Sequence, residues 1–216
     1  ATRETLNNAV RNRLYGANAP LFVSGDLLIV NDSYNLSKED VRKVGQNALY
    51  NMQRAIVEKA EPARIEKTFT FTTGPRQTKT MRITAEGWNL TVNLGPEYNN
   101  VSVTAPYLPT EEIQRLISMD YNPSTKKATL KATGEVMRYG EYIAYRTAIL
   151  SEFLNVEYAY AVTSHKSQGM TYPNVFVHEQ DIISVGPASD LNKIKSLYTA
   201  YSRTKNHLWI YNANNP

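Results

Sequence analysis

Tyr160-Ala161-Val162-Thr163-Ser164-His165-Lys166-Ser167-Gln168-Gly169-Met170-Thr171 is an apolar run that ends in a compact polar turn. The pattern recurs downstream. An apolar run at Asn174–His178 is followed by Leu197-Tyr198-Thr199-Ala200-Tyr201-Ser202-Arg203-Thr204-Lys205 and a last apolar run, Leu208–Tyr211. Val156–Thr163 reads as a buried strand feeding the first turn. Leu197, Tyr198 and Tyr201 share one helix face and bring Ser202–Lys205 to the helix end. Buried strands punctuated by polar turns describe an α/β layer, in which a rigid sheet aims the turns that carry chemistry.

Upstream, Leu6, Val10 and Leu14 recur at i, i+4, i+8 and predict an amphipathic helix over Thr5–Tyr15, with Arg11 and Arg13 on other faces and Gly16 and Pro20 ending it. There is no initiator Met, targeting segment or preceding strand, so the chain is expected to be cut from something longer. Leu21–Asn31 reads as a strand pair broken at Ser24-Gly25-Asp26, with Leu27–Val30 buried. Ser37 and Asp40 approximate a capping box for a helix carrying Val41, Val44, Ala48, Leu49 and Met52. Ala55–Val57 either extends that helix or begins a strand, and periodicity does not choose.

From Lys67 to Val103 the signal is β: short alternating runs at Thr68–Thr72, Thr80–Thr84, Leu90–Leu94 and Val101–Val103, with a turn at Gly74-Pro75. Such spacing suggests a small barrel or sandwich. A short helix is expected over Thr110–Met119, a strand or hairpin over Lys126–Val136, and a helix over Glu141–Phe153 with Tyr142, Tyr145, Ile149 and Phe153 inward. The whole reads as an α/β layer made of both ends of the chain with a β-rich insertion at about 26–138.

With 216 residues, 42% of them hydrophobic and 20% charged, the chain can bury a proper core. No apolar run approaches the ~18 residues of a membrane span. Cys is absent, which excludes disulfides and thiolate metal sites and fits a reducing compartment. The three His residues lack ligand spacing, so no metal site is expected. A net charge of +4 leans toward an anionic partner, and fifteen Tyr among Lys and Arg suit stacking on single-stranded bases, although strand preference alone accounts for many of them.

Two turns are the candidates for chemistry. At Thr163–Thr171 backbone N–H groups, hydroxyls, an amide, a permissive Gly169 and the Lys166 ammonium meet at a strand end, a suitable site for an anion. The alternative there is a polar turn with a solvated lysine. Arg203, held at the end of a packed helix, has the placement of an arginine finger that stabilises charge in phosphoryl transfer. The alternative for it is a surface charge.

Together these turns resemble motifs V and VI of superfamily 1 helicases, most closely the 5′-to-3′ branch of RecD-, Dda- and Pif-like enzymes. Motif V there ends a strand in His-Lys-x-Gln-Gly, and motif VI reads roughly Leu-Tyr-Val-Ala-x-(Ser/Thr)-Arg. Leu6-Asn7 with Arg11 resembles the Leu-Asn-x-x-x-Arg segment of motif IV, and Gly25–Val30 the first strand of the SH3-like barrel inserted in their second motor domain. In that family the next barrel strand often follows an Asn-Gly pair. Asn51-Met52 stands at that place, which pulls Arg54–Ala60 toward strand and cuts the preceding helix near Leu49.

The resemblance implies a RecA-like second motor domain with a parallel sheet (2A, residues 1–25 and 139–216) carrying an inserted SH3-like β-barrel (2B, residues 26–138). It implies an ATP-dependent helicase that translocates on single-stranded DNA and unwinds duplex in replication or repair, in the cytoplasm of a bacterium or phage-infected cell. Arg203 and Arg11 would meet the γ-phosphate, Gln168 and Gly169 would couple the nucleotide cleft to the strand, and Thr163, His165 and Lys166 would face the DNA backbone. UvrD-like relatives place an acidic residue after the Gly, where Thr171 stands. No Gly-x-x-x-x-Gly-Lys-(Ser/Thr) occurs, so the ATP phosphates and Mg²⁺ would be held by a first RecA-like domain outside this chain, without which it would be inactive. The competing function class is a non-catalytic nucleic-acid-binding or scaffolding module derived from a helicase fold.

Overall fold

The computed structural model describes residues 3–74, 77–184 and 189–211. The chain opens with α1 (Arg3–Tyr15) and divides into two compact units, 1–17 with 159–216, and 18–158. The borders expected from the sequence are 25/26 and 138/139. The second moves because α4 (Tyr139–Glu152) packs inside the larger unit.

The larger unit begins with β1 (Leu27–Val30), where Gly25 takes a positive φ and the buried Asp26 carboxylate accepts the Val23 N–H at 2.7 Å. Leu21–Val23, expected to pair with this strand, is not a strand. There follow β2 (Tyr34–Asn35), α2 (Lys38–Val44), β3 (Ala48–Leu49), β4 (Arg54–Gly74), β5 (Gln77–Asn93), β6 (Ser102–Tyr107), α3 (Thr110–Ile117), β7 (Met119–Asn122), β8 (Lys127–Leu130), β9 (Val136–Arg138), α4 and β10 (Val156–Tyr158). The Ser37 cap of α2 is present, its hydroxyl accepting the Asp40 N–H. α2 stops at Gly45 rather than reaching Met52, because Ala48–Leu49 pairs with Tyr34–Asn35. Met52 sits at φ 75, the left-handed conformation that favours Gly, in the turn just ahead of β4.

The several short strands expected between Lys67 and Leu94 are two long ones. β4 and β5 form one antiparallel ribbon from Gly74↔Gln77 down to Ile56↔Asn93. A register shift between Val57 and Lys59 inserts one extra residue into β4. On β5 the buried positions change parity, from Met81, Ile83 and Ala85 to Leu90 and Val92. Side chains alternate between faces, so the ribbon buries opposite faces at its two ends.

Its base joins the antiparallel sheet β10-β1-β4-β5-β6, whose core includes Leu28, Val30, Leu49, Val57, Val103 and Val156. This sheet has two edges, β10 and β6, and is not closed into the expected barrel. The distal end packs Phe69, Phe71 and Ile83 against Leu116, Tyr145 and Ile149, over the small sheet β7-β8-β9. Tyr142 and Tyr145 donate from their hydroxyls to the Ile117 and Leu116 carbonyls, both at 3.0 Å, satisfying acceptors left free at the C-terminus of α3. Lys67 forms an ion pair with Glu152, fixing the end of α4.

The smaller unit holds α1, β11 (Tyr172–His178), α5 (Glu179–Ile183), α6 (Asp190–Tyr201) and β12 (Thr204–Tyr211). β11 and β12 are parallel, from Asn174↔His207 to His178↔Tyr211, joined by a helical crossover as parallel strands require. Two expectations are corrected here. The strand expected over Val156–Thr163 ends at Tyr158, and its three residues pair antiparallel with β1 in the larger unit. α1 is also inverted relative to its apolar stripe: Asn7 and Arg11 are buried, while Leu6, Val10 and Leu14 are exposed. Among the described residues the parallel sheet has two strands, and the other sheets are antiparallel. No helix among them is long and apolar enough to cross a membrane.

Candidate functional site

The first turn is built by its own hydrogen bonds. After Val162 the chain enters a short 3₁₀ turn, His165–Ser167, because Ser167 N–H donates to the Ser164 carbonyl and Gln168 N–H to the His165 carbonyl, both at 3.2 Å. The buried Ser167 hydroxyl donates to the Ser164 carbonyl at 2.7 Å, and Thr163 Oγ1 accepts the Lys166 N–H at 3.3 Å. Gly169 then takes φ 81, the left-handed conformation that lets the chain reverse before Met170. The geometry leaves Thr163, His165, Gln168 and Gly169 exposed.

The approach to this turn is held by a residue to which the sequence reading gave no role. Asn7 is 4% exposed, and its side-chain amide meets both backbone polar groups of one residue. Its Nδ2 donates to the Ala161 carbonyl at 3.0 Å, and its Oδ1 accepts the Ala161 N–H at 2.7 Å. This two-point clamp does for Ala161 what a neighbouring strand would do. Its sequence signal is its place in the Leu6-Asn7 pair of the Leu-Asn-x-x-x-Arg segment, which does not say what the Asn side chain bonds. Arg11, one turn further on, is 7% exposed, with its guanidinium carbon 5.9 Å from the Tyr15 ring centre.

The second turn meets the first through Arg203. Tyr201 closes α6, its hydroxyl donating to Glu179 at 2.7 Å, and burial with this carboxylate pushes the phenol up to about 12. Two residues later Arg203 N–H donates to the Ala200 carbonyl, and the Arg203 carbonyl accepts the Tyr172 N–H at 2.8 Å. The guanidinium is half-buried. Its Nε donates to the Thr199 carbonyl at 3.1 Å, Nη1 to the Met170 carbonyl at 3.3 Å and Nη2 to the Ser202 hydroxyl at 2.9 Å. These partners are all neutral, so none of them balances the guanidinium in its half-buried place. That differs from a surface arginine and suits an anion.

One cleft of about 1420 Å³ in the smaller unit gathers Thr163, His165, Gln168 and Arg203 on its walls. Arg11, Lys166 and Gly169 are not among its lining residues. No group of three or more His, Cys, Asp or Glu able to hold a metal ion occurs among the described residues.

Residues 158–211 match the UvrD-like helicase C-terminal domain family. That span contains both turns, Arg203 and the parallel strands. The match supports a superfamily 1 helicase C-terminal region in this part of the chain. A protein of Acanthamoeba polyphaga mimivirus described as uncharacterized protein R530 is 38% identical over 64 residues. The aligned region is 30% of this chain and 13% of that relative. The helicase-type region thus coincides with the smaller unit, apart from α1 and the strand end at Tyr158.

Proposed function

We propose that the chain is the C-terminal part of an ATP-dependent DNA helicase of the RecD/Dda/Pif-like branch, one that translocates on single-stranded DNA. The smaller unit acts as its second RecA-like motor domain and the larger unit, the counterpart of the SH3-like insertion, as its inserted domain. Arg203 is the arginine finger, with Arg11 a second cation for the γ-phosphate. Gln168 and Gly169 link the nucleotide cleft to the strand, and Thr163, His165 and Lys166 bind its phosphodiester backbone. The ATP phosphates and Mg²⁺ are held by a first motor domain outside this chain.

The observation that carries the reading is Arg203. A half-buried guanidinium with only neutral partners bridges the two turns through the Met170 carbonyl and lines the same cleft as Gln168. In the free chain it is held by two carbonyls and a hydroxyl, none of which carries a charge. A nucleotide phosphate would compete for it, because an anionic acceptor adds ion-pair attraction and can take the guanidinium fork through two parallel bonds. Arg203 would then leave the Met170 carbonyl, so nucleotide occupancy at one turn would be felt at the other, which carries the DNA contacts. That differential binding is what couples the nucleotide state to the grip on DNA.

The test is Arg203→Ala in the full-length protein. DNA-stimulated ATP hydrolysis should fall by about 10³–10⁵, the range for losing an arginine finger, while affinity for single-stranded DNA stays within about threefold. ATP turnover at the wild-type rate would overturn the assignment.

A further inference from the structure

Arg203 is placed by the helix that precedes it. Its Nε donates to the Thr199 carbonyl and its Nη2 to the Ser202 hydroxyl, so two of the three guanidinium bonds come from the end of α6. The place of the cation therefore follows the place of that last turn. Apolar packing does little to hold α6, although packing is what usually fixes a helix. Ala200 is its one buried residue, while Leu191 and Ile194 are exposed and Tyr198 is 72% exposed.

Tyr201 ties the last turn of α6 to another element. Its hydroxyl donates to Glu179 Oε1 at 2.7 Å, a charge-assisted bond stronger than one to a neutral acceptor. Glu179 is the first residue of α5, and α5 is fixed to the end of β11, where His178 Nδ1 accepts the Asp181 N–H at 3.2 Å. The start of β11 is tied to Arg203 itself, since the Tyr172 N–H donates to the Arg203 carbonyl at 2.8 Å. β11, α5, α6 and Arg203 thus form a closed circuit, and the Glu179–Tyr201 bond joins its two helices. Neither Glu179 nor Tyr201 is among the residues that line the cleft.

We propose that Glu179 and Tyr201 are a positioning pair for Arg203, holding the last turn of α6 so that the guanidinium stays at the cleft wall where a phosphate would meet it. The inference rests on the reading of Arg203 as an arginine finger. Both residues act through the helix end rather than on the nucleotide. Tyr201 stands where the pattern Leu-Tyr-Val-Ala-x-(Ser/Thr)-Arg leaves the residue open, so the pair is a feature of this chain and not of the motif.

The test is a double-mutant cycle in the full-length protein. Tyr201→Phe keeps the ring and removes the bond. It should lower kcat of DNA-stimulated ATP hydrolysis by about 10–100-fold, the scale for a group displaced by about 1 Å, with the KM for ATP and the affinity for single-stranded DNA unchanged within about threefold. Glu179→Ala should give the same loss. Glu179→Gln keeps an acceptor for the phenol and should hold kcat within about threefold of wild type. In an Arg203→Ala background, Tyr201→Phe should lower the remaining rate no further, because a pair that acts only through Arg203 has nothing left to place. A general loss of folded protein would lower both backgrounds alike. A kcat loss below about tenfold in Tyr201→Phe, a loss that falls on KM instead, or the same loss repeated in the Arg203→Ala background would overturn the positioning role and leave the arginine finger standing. Wild-type turnover in Arg203→Ala would overturn the finger, and the pair with it.

Discussion

At the scale of single residues, the two polar turns are legible in the sequence because they are local. Ser167 and Gln168 fold onto Thr163 and His165 within a few residues, so the sequence contains the whole turn. Asn7 was not legible as a clamp, since its partner lies 154 residues away. Asn7→Ala leaves the part-buried N–H and C=O of Ala161 without these bonds, and should cost about 1–3 kcal/mol in denaturant unfolding of the smaller unit. Asn7→Asp keeps the acceptor for the Ala161 N–H but sets a carboxylate against the Ala161 carbonyl, so it should not rescue. Equal stability of wild type and both variants would show that the clamp contributes nothing. In the larger unit, Tyr145→Phe removes the bond to the Leu116 carbonyl while leaving the ring among Phe69 and Phe71. A loss of about 1 kcal/mol is expected by the same measurement.

At the scale of elements, the long ribbon is the feature that sequence reading divided wrongly. Its buried positions change parity along β5, and β4 takes in one extra residue after Val57, so the sequence shows several short runs where the backbone is continuous. Gly87 lies near the change of face, opposite Ala63. A Cβ there would stand 2.4 Å from the Tyr107 carbonyl oxygen, a backbone atom that cannot move aside without shifting β6. Gly87→Ala should therefore destabilise the larger unit by about 1–3 kcal/mol, the usual range for overpacking, visible as a lowered denaturation midpoint. A variant with an unchanged midpoint would mean that β5 and the end of β6 move apart freely. The helices α3 and α4 were read correctly in type, because a 3.6-residue period around Tyr142, Tyr145 and Ile149 marks a buried face that packing then uses.

At the scale of the whole molecule, phenols form a common alkaline signature. Tyr34 and Tyr145 are pushed up to about 12 chiefly by burial, and Tyr201 likewise, with help from Glu179. In each the neutral form is favoured by the fold. The unfolded chain therefore gains by ionising first, from about pH 10, the ordinary tyrosine value. The stability these phenols contribute is fully present below pH 10 and is lost as pH rises through 12. Thermal unfolding followed from pH 8 to 12 should show a Tm flat to about pH 10 and falling beyond it. Tyr201→Phe should weaken the fall for the smaller unit, and a Tm that holds through pH 12 in wild type would contradict these shifts.

The sequence alone determined the two polar turns, the α/β character of the chain's ends and the β-rich middle, because each rests on residues near one another. Tertiary structure decided three things that short-range pattern cannot hold. It turned α1 so that Asn7 and Arg11 lie inside, where Asn7 bonds both the N–H and the C=O of Ala161. It gave Val156–Tyr158 to an antiparallel sheet through pairing with β1. And it brought Arg203 to Met170, joining two turns that the chain separates. In each case the deciding partner is distant in sequence, so its hydrogen-bonding needs leave no mark on local periodicity.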